Sequence, residues 1–368
     1  MKKVCFVTPR TYYLFNPDIS DKEIIPGGAQ TQVYYISKAL AEDNNFEVHF
    51  SVADFGQTDF EIYNNIKLHK TFRLTDNIFR KTVKLIKSLK KTDAETYIFR
   101  SADIGVAFAV FWIKKILKKQ TLYMLASDVE ISRKRHKKFS GFLTAFSMNY
   151  VYKNADIITS QTTQQALLLK KYRNRKPDAV IKNIYPEKQK HKINNKEKDT
   201  ILWVGRLTKI KKPELFLDLA KQFPDEKFVM IAPTAVNKKE YGIHIIKKIE
   251  KIKNIRYLKY IAPLQIVDYY RKAKIYILSS DFEGFPNTMA EAMQAECPIL
   301  SYNVNPDNIL NKYRCGFCAD KNINKFYEDF EKLLKNPELS QETGKNGAKY
   351  IAENHQKNQI INNFKKLL

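Results

Sequence analysis

The chain has 368 residues, of which 44% are hydrophobic and 28% charged, and its formal net charge is +25. This composition excludes an intrinsically disordered or fibrous protein. The length exceeds that of one ordinary hydrophobic core, so we expect two domains. The positive charge leaves three interpretations open: a nucleic-acid-binding protein, a protein on an anionic membrane surface, and a lysine-rich composition without local meaning.

The apolar segments and the cysteines indicate a cytoplasmic protein without a membrane span. The amino-terminus lacks the apolar core of a signal peptide. The longest apolar run, from Ile104 to Ile113, is about half the length that a transmembrane helix needs. Cys315 and Cys318 have the spacing of a metal half-site, but no second pair completes a zinc site. We therefore predict structural thiols in a reducing compartment and no bound metal.

Short apolar segments alternate with helical patterns along the whole chain. This alternation predicts an α/β fold of two Rossmann-like, doubly wound parallel-sheet domains, because right-handed crossovers place helices on both faces of each sheet. The predicted strands are residues 4–8, 46–52, 96–99, 121–125 and 156–160 in the first half, and residues 200–204, 227–231, 255–258, 275–278 and 298–301 in the second.

A polar stretch rich in Lys and Asn marks the boundary between the two predicted domains. We predict an amino-terminal domain over residues 1–185, a linker over 186–199 and a carboxy-terminal domain over 200–354. The final segment, residues 355–368, has a helical pattern. We expect it to cross back and pack on the amino-terminal domain.

The first candidate site lies at Gly27 and Gly28, directly before a predicted helix. Ligands of open parallel sheets bind at the carboxyl ends of the strands, where loops lead into helices. Paired glycines at a helix amino-terminus let backbone amides approach a phosphate or a sugar closely. A plain turn is the alternative.

A second candidate is the basic loop ahead of a helix that we predict to begin at Pro213. Arg206, Lys209, Lys211 and Lys212 all precede this helix. Cations at a helix amino-terminus oppose the macrodipole, so their concentration here is favourable if a dianionic group docks between them. A solvated basic loop is the alternative.

The strongest pattern runs from Ser279 to Met293. A strand ends at the serines, a Gly-Pro turn follows, and Asn287 is predicted as the N-cap of a helix. Glu283 then lies in the loop, and Glu291 lies about one turn into the helix. Two carboxylates aimed at one pocket suit the hydroxyls of a diol, and the amides at the start of the helix suit an anion. By spacing alone, a solvated pair of surface glutamates is the alternative.

These segments together resemble a known family. Glu283-Gly-Phe-Pro followed by Glu291-Ala-Met, the preceding Val204-Gly-Arg-Leu with Lys211-x-Pro-Glu-Leu, and the amino-terminal Gly-Gly-Ala-Gln are similar to retaining GT-B fold glycosyltransferases of family 4, the glycosyl transferases group 1. The similarity runs through most of the chain in the family's order and is densest over residues 200–320. It implies a nucleotide-sugar donor and two domains that face each other across a cleft.

The resemblance also implies a role for each matching residue. Arg206 and Lys211 would neutralise the donor diphosphate, Glu291 would bind the ribose hydroxyls, and Glu283 would bind the transferred sugar. The loop backbone would contact sugar and phosphate through its amides, with the paired glycines facing it from the first domain. These backbone positions are Gly284, Phe285, Pro286, Asn287 and Thr288 in the loop, and Gly27 and Gly28 in the first domain.

Two positions depart from the family's pattern. Asp128 occupies the loop where relatives often carry a His at the catalytic site, so Asp128 is the candidate for that catalytic contact. Glu296 stands where relatives usually have Gly. We expect Glu296 to alter the turn behind the nucleotide-binding helix.

The implied reaction moves a hexosyl group from a UDP- or GDP-linked sugar, with retention of the anomeric configuration, to a glycan, lipid-linked or protein-linked acceptor. Fixed cations that bind the departing diphosphate would lower the barrier without a metal, so no cofactor is expected. The implied role is bacterial capsule, lipopolysaccharide or other surface polysaccharide assembly. Two alternatives stay open: another nucleotide-sugar enzyme of this architecture, such as an epimerase, and a basic nucleic-acid-binding protein. No nucleic-acid motif is present in the sequence, so nucleic acid is not the expected partner.

Two basic segments predict contact with the anionic inner face of the plasma membrane. From Ile78 to Lys91, apolar residues with a helical period lie beside a stripe of Arg and Lys. From Arg133 to Phe146, a run of basic residues is followed by phenylalanines. The alternative for both segments is a helix that packs on its own sheet. On the membrane interpretation, the acceptor is a lipid-linked glycan.

Overall fold

The computed structural model describes residues 1–16, 27–186, 198–233, 239–261 and 265–368. The chain divides into two compact units. Unit 1 comprises Met1–Ile184 together with Lys357–Leu368, and unit 2 comprises Tyr185–Gln356. The sequence places these boundaries at residues 185 and 354, and most of the predicted linker lies outside the described residues.

Unit 1 is built around a sheet of eight strands in the part of the chain that the structure describes. They are β1 (Lys2–Val7), β2 (Phe46–Val52), β3 (Phe60–Tyr63), β4 (Ile66–Lys70), β5 (Thr96–Phe99), β6 (Gln120–Met124), β7 (Ile157–Ser160) and β8 (Ala179–Val180). Their order in the sheet is β3-β4-β2-β1-β5-β6-β7-β8. β3 runs antiparallel to β4, whereas β1 is parallel to both of its neighbours. The sequence analysis missed β3, β4 and β8, because β3 is a half-exposed edge strand paired with β4 and β8 is only two residues long.

Helices cover both faces of this sheet. They are α1 (Tyr12–Phe15), α2 (Gly28–Ala41), α3 (Ile78–Thr92), α4 (Ile104–Trp112), α5 (Asp128–Ile131), α6 (Arg133–Ser140), α7 (Phe142–Asn154) and α8 (Thr163–Arg173). Successive residues of a strand point to opposite faces of the sheet. In β1, Phe6 therefore packs with Phe15 and Phe50 in one core, while Cys5 packs with Tyr97 in the other. Unit 1 is thus doubly wound.

Helix α3 shows where the first basic segment places its apolar side chains. Leu85 and Leu89 are buried in the core on one face of the sheet. In the first turn, Ile78 and Phe79 are 73% and 74% exposed. The apolar face that the sequence offered to a membrane is therefore divided: Leu85 and Leu89 pack on the protein's own sheet, and the first turn is exposed. An amphipathic period does not distinguish a core from a lipid surface.

Helix α4 contains most of the longest apolar run. It continues through a π-helical turn, Ile113–Leu117, in which Ile113 is buried. The buried side of α4 includes Val106 and Val110, which pack in the same core as Tyr97. In the described ranges, no helix combines the length and the apolar character that crossing a bilayer requires.

Unit 2 contains a second sheet, whose described strands are all parallel. They are β9 (Thr200–Val204), β10 (Lys227–Ile231), β11 (Ile255–Leu258), β12 (Ala273–Leu278), β13 (Ile299–Ser301) and β14 (Gly316–Cys318). Their order is β11-β10-β9-β12-β13-β14. The helices are α9 (Pro213–Gln222), α10 (Lys239–Ile249), α11 (Ile266–Lys272), α12 (Asn287–Gln294), α13 (Ile309–Lys312), α14 (Ile323–Lys335) and α15 (Pro337–Asn354). Two buried clusters lie on the two faces of this sheet, so the predicted fold class of doubly wound α/β domains is confirmed for each unit.

The last helix of the chain, α16 (Lys357–Lys365), belongs to unit 1. Ile360, Ile361 and Phe364 are buried in the core that also contains residues of α2. Lys365 Nζ lies 2.5 Å from Asp43 Oδ2, just beyond the end of α2. The chain therefore returns from unit 2 to pack on the unit in which it began.

The four cysteines, Cys5, Cys297, Cys315 and Cys318, are free and buried. Burial raises the pKa of the Cys315 thiol to about 12 and that of the Cys318 thiol to about 11. A thiol is a metal ligand or nucleophile only as the thiolate. Among the described residues, no group of three or more His, Cys, Asp or Glu side chains is arranged to hold a metal ion.

Candidate active site

The predicted donor residues of unit 2 lie in loops at one edge of its sheet. β9, β12 and β13 are neighbours in the sheet and run parallel. The loops that follow their carboxyl ends therefore lie side by side. Arg206 and Lys211 belong to the loop after β9, and Glu283 belongs to the loop after β12. We refer to residues 279–286, which lead into α12, as the donor loop.

Lys211 and Glu283 form an ion pair between these two loops, with Lys211 Nζ in contact with Glu283 Oε1. The side chains are 22% and 18% exposed, so both charges are partly shielded from water. A pair in such surroundings interacts more strongly than an exposed one. The structure therefore brings together the cation predicted to bind phosphate and the carboxylate predicted to bind the sugar.

Backbone and side-chain hydrogen bonds fix the two loops to each other. The amide of Asp281 donates to the carbonyl of Ile210 (2.8 Å). The Ser279 hydroxyl donates to the carbonyl of Lys211 (2.6 Å) and accepts a hydrogen bond from the buried Trp203 indole (2.8 Å). The relative position of Lys211 and Glu283 is thus set by the backbone and not by their side chains alone.

Lys212 has a different position from the neighbouring Lys211. It precedes α9 in the left-handed conformation, with φ of 45°. Its Nζ lies 3.2 Å from Asp281 Oδ1 and 4.6 Å from the centroid of the Tyr302 ring. Lys212 therefore connects the loop after β9 to Asp281 of the donor loop and to Tyr302. The sequence analysis grouped it with the anion-binding cations and did not predict its contacts with Asp281, which lies within the Ser279–Met293 pattern, and Tyr302, which lies outside it.

Arg206 is exposed in the loop after β9. It follows Gly205, where an added Cβ would lie 3.1 Å from the Trp203 ring. This close approach of ring and backbone explains why a glycine precedes the arginine. The guanidinium is accessible to an anion at the same edge as Lys211.

Helix α12 starts one residue earlier than the N-cap predicted at Asn287 implied. Pro286 is the N-cap, and Asn287 is the first helical residue. The side chain of Asn287 accepts a hydrogen bond from the Tyr185 hydroxyl (3.3 Å) instead of capping the helix. The first-turn amides of a helix have no partner within it, so the segment from Gly284 to Thr288 ends at a positive helix terminus. Such a terminus suits a phosphate.

Glu291 lies in α12 and is partly buried. Burial, together with the nearby Glu291 carboxylate, raises the pKa of Tyr270 well above its usual value. Burial is also the main cause of the raised pKa of Tyr276, to which the negative charges of both Glu283 and Glu291 contribute. The negative charges of both predicted carboxylates therefore act on the same buried phenol.

Glu296 adopts the left-handed conformation that glycine favours, with φ of 51°. Its carbonyl accepts a hydrogen bond from Lys198 Nζ (2.5 Å). On the other side lies α15, where a Cβ added at Gly344 would be 2.2 Å from the Glu296 carbonyl oxygen. The turn behind α12 thus keeps a glycine-type backbone although a glutamate occupies it.

In unit 1, Gly27 is the N-cap of α2 and Gly28 is its first residue. The Gly27 amide donates to Gln30 Oε1 (3.1 Å), and the Thr31 hydroxyl donates to the Gly27 carbonyl (3.2 Å). Gly27 has φ of −85°, which any residue adopts. Backbone conformation therefore does not explain a glycine at position 27, and the predicted close approach to the donor stays a prediction.

Asp128 is the first residue of α5, in the loop after β6. The carboxylate that organises this loop is Glu130, which is buried and accepts hydrogen bonds from the Ser127 amide (2.8 Å) and the Tyr123 hydroxyl. Burial raises the pKa of Glu130. The sequence analysis missed Glu130, although Ser127-x-x-Glu130 has the spacing of a capping box and the structure contains that box. The catalytic contact predicted for Asp128 stays a prediction.

Comparison with known proteins places this site in a family context. Residues 185–350 match the model of the glycosyl transferases group 1. An uncharacterized glycosyltransferase of Haemophilus influenzae is 22% identical, with 93% of this chain and 96% of the relative covered. A capsular polysaccharide biosynthesis glycosyltransferase, CapH of Staphylococcus aureus, is 24% identical over 78% of this chain and 81% of the relative.

Solved structures show the same fold at low sequence identity. Sucrose-phosphate synthase from Thermosynechococcus elongatus has a TM-score of 0.81 and 14% identity, with 100% of this chain and 98% of that chain covered. Anabaena HepE in complex with UDP and glucose has a TM-score of 0.74 and 13% identity, with 100% and 99% covered. The group 1 glycosyl transferase model thus matches most of unit 2, relatives named as glycosyltransferases are similar over most of the chain, and the fold is GT-B-like.

Proposed function

We propose that the protein transfers a hexosyl group from a nucleoside diphosphate sugar, UDP- or GDP-linked, with retention of the anomeric configuration. The observation that carries the proposal is the Lys211–Glu283 pair at the carboxyl edge of the second sheet, next to the amino-terminus of α12. HepE, a protein of the same fold, binds UDP and glucose. That finding supports a nucleotide sugar as the class of donor.

The charges of the site fit the demands of the reaction. Cleavage of the bond between the anomeric carbon and the phosphate oxygen leaves both bonding electrons, and hence negative charge, on the diphosphate. Arg206, Lys211 and the amides at the start of α12 bind the diphosphate more tightly as this charge grows, which lowers the barrier. The acceptor hydroxyl attacks from the side of the leaving group, and its proton passes to a departing phosphate oxygen.

The two carboxylates orient the donor at its two ends. Glu291 accepts hydrogen bonds from the ribose hydroxyls, and Glu283 accepts hydrogen bonds from the sugar. Lys211 orients the Glu283 carboxylate through their ion pair. The cations and the helix terminus take the place of a divalent metal, so transfer proceeds in the presence of a chelator.

Anomeric analysis of the product tests this reaction. The protein is incubated with anomerically pure UDP- and GDP-sugars, with and without EDTA. The configuration of the sugar first released to water or acceptor is read by NMR before mutarotation. We expect transfer with retained configuration in the presence of EDTA. We expect Lys211→Ala and Glu283→Ala to lose this transfer activity. Lys221→Ala, at an exposed lysine in the last turn of α9, is the control and keeps its activity. Inversion, or a strict requirement for Mg²⁺, contradicts the proposal.

The acceptor we propose is a glycan on a lipid carrier, used in bacterial capsule or other surface polysaccharide assembly. One relative is a capsular polysaccharide biosynthesis glycosyltransferase, which supports this class. We further propose that α6 and α7 hold the protein on the anionic inner face of the plasma membrane. On α7, Phe142, Leu143 and Phe146 are 53%, 68% and 60% exposed.

Basic residues of α6 lie beside these apolar side chains. Lys137 Nζ is 5.5 Å from the ring centroid of Phe142, and the Arg133 guanidinium carbon is 6.0 Å from that of Phe146. Apolar side chains enter the interface of a bilayer while neighbouring cations meet the phosphates of anionic lipids. This combination makes α6 and α7 a better membrane surface than α3, in which Leu85 and Leu89 are buried in the core.

Flotation with liposomes tests the membrane contact. We expect binding to vesicles that contain phosphatidylglycerol, weakened by salt and by Phe142→Ser with Phe146→Ser. The control is Leu167→Ser in α8, where the side chain is 68% exposed. We expect this variant to bind the vesicles as the wild type does. Equal binding by the double variant and the control, or no binding to anionic vesicles, contradicts this part of the proposal.

A further inference from the structure

Four buried rings of unit 2 form a cluster beside the donor loop. The centroid of the His355 ring lies 4.7 Å from that of Phe285, 5.3 Å from that of Tyr185 and 5.7 Å from that of Tyr350. Tyr185 also lies 6.2 Å from Phe285. Each of the four side chains is less than a tenth exposed. We call these four residues the aromatic cluster.

The segment that enters unit 2 is attached to both ends of α12. The Tyr185 hydroxyl donates to Asn287 Oδ1, at the first residue of the helix (3.3 Å). The side-chain amide of Gln294, at the last residue of the helix, donates to the carbonyl of Pro186 (3.1 Å). The helix that carries Glu291 is therefore held by the first residues of unit 2.

The segment that leaves unit 2 reaches the same place. Helix α15 ends at Asn354, and the His355 amide donates to the carbonyl of Ile351 (3.0 Å). The ring of His355 lies against that of Phe285. His355 is followed by Gln356, the last residue of unit 2. The two passages of the chain into and out of unit 2 thus meet at a phenylalanine of the donor loop.

We propose that Tyr185 and His355 are positioning residues of the donor site. They act through Asn287 and Phe285, on either side of Pro286, and so set the direction of the amides that face the diphosphate and the position of Glu283. This inference rests on the proposed function, since it concerns the same donor. A loop that is already ordered loses less conformational entropy when the ligand binds, which increases affinity.

Titration calorimetry with UDP and GDP tests the inference, together with donor KM and kcat. Tyr185→Phe keeps the ring and removes the hydroxyl that reaches Asn287. We expect the Kd for the nucleotide and the donor KM to rise about three- to ten-fold, with only a small fall in the melting temperature from the lost hydrogen bond. His355→Phe keeps a ring against Phe285, whereas His355→Ala removes it, so only the alanine variant is expected to lose affinity.

A matched control comes from the far end of the same stack. The centroid of the Tyr313 ring lies 4.7 Å from that of the Tyr350 ring. Tyr313 precedes β14 in the chain. Tyr313→Phe should leave the nucleotide Kd unchanged. If the wild type binds nucleotide and Tyr185→Phe and His355→Ala bind it equally well, the positioning role is overturned while the proposed function stands. If the wild type binds no nucleotide, both fail.

Discussion

The ammonium group of Lys211 contacts the carboxylate of Glu283, although the two residues are 72 positions apart in the chain. The next residue, Lys212, makes a separate contact, 3.2 Å from Asp281 Oδ1. Two adjacent lysines of one loop therefore reach two acidic residues of the donor loop. The backbone explains why the two lysines have different partners. Lys212 has a left-handed backbone conformation, which directs its side chain away from that of Lys211.

Substitution of these two lysines should affect nucleotide binding differently, although each removes a partly buried ion pair. Lys211→Met removes a cation from the proposed diphosphate site, so we expect the Kd for UDP or GDP to rise at least about ten-fold, with little change for the bare nucleoside. Lys212→Met removes a partly buried ion pair and a cation–π contact, so we expect the free energy of unfolding to fall by about 1 kcal/mol. Calorimetry and urea unfolding measure the two effects, and equal behaviour of the two variants contradicts the assignment.

A side chain at position 344 should destabilise unit 2. Alanine ordinarily stabilises a helix relative to glycine, but a Cβ at Gly344 would lie 2.2 Å from the Glu296 carbonyl oxygen. We expect Gly344→Ala to lower the free energy of unfolding by about 1–3 kcal/mol, as overpacking does. At Gly347 of the same helix, the closest atoms to an added Cβ would be Cγ and Cβ of Met293, at 3.1 and 3.3 Å, a less severe overlap. Urea unfolding of both variants should show the smaller loss for Gly347→Ala.

Removal of the side chain at position 296 should stabilise the protein. Glu296 has a positive φ, which costs a residue with a Cβ about 1 kcal/mol or more and costs glycine almost nothing. We expect Glu296→Gly to raise the free energy of unfolding by about 0.5–1 kcal/mol. The hydrogen bond from Lys198 survives, because the acceptor is the backbone carbonyl. Glu296→Ala keeps the Cβ and is the control, and an equal gain in that variant would implicate the charge instead.

A buried pair of histidines should make unit 1 sensitive to acid. His49 Nδ1 lies 2.7 Å from His69 Nε2, and the rings are stacked. Burial and the charges of His49 and Lys91 lower the pKa of His69 to about 4, and burial lowers that of His49 despite its contact with Glu47. Between pH about 4, the pKa of His69 in the folded protein, and pH about 6.5, its ordinary value, the folded state therefore binds fewer protons than the unfolded state.

The sign of the effect follows from this difference. The contribution of the uncharged histidine pair to the free energy of unfolding is complete above pH about 6.5. It decreases as the pH falls towards 4 and changes little below that. We expect a loss on the order of 2–3 kcal/mol across the interval, measured by urea unfolding at each pH. His69→Asn should be less acid-sensitive, whereas the exposed His244→Gln should behave as the wild type. A stability independent of pH over this interval contradicts the account.

The sequence predicted the fold because strands buried on both faces form apolar runs that alternate with helices. β9 and β10 have the predicted bounds, since both are continuous apolar segments. The missed strands lack that signal: Phe60 and Ile62 of β3 are exposed at the sheet edge. Local pattern therefore predicts strands that form apolar runs, including the edge strand β11, and misses short or half-exposed strands such as β3 and β8.

The sequence also indicated which loops hold the candidate site, because parallel topology brings the carboxyl ends of neighbouring strands together. It could not indicate the contacts inside the site. The position of Lys212 depends on one left-handed residue, and its partners Asp281 and Tyr302 lie more than 60 positions away. Tyr185 and His355 reach the donor loop only through tertiary packing, which leaves no trace in residue spacing.

The most direct test of the central claim is a thermal-shift screen of the purified protein against UDP, GDP, their sugar conjugates and a single-stranded oligonucleotide. It is run with EDTA beside Arg206→Ala and Glu291→Ala. The account predicts stabilisation by one class of nucleotide without metal, lost in both variants. Stabilisation by the oligonucleotide alone, unchanged in the variants, would contradict it and assign the positive charge to nucleic-acid binding.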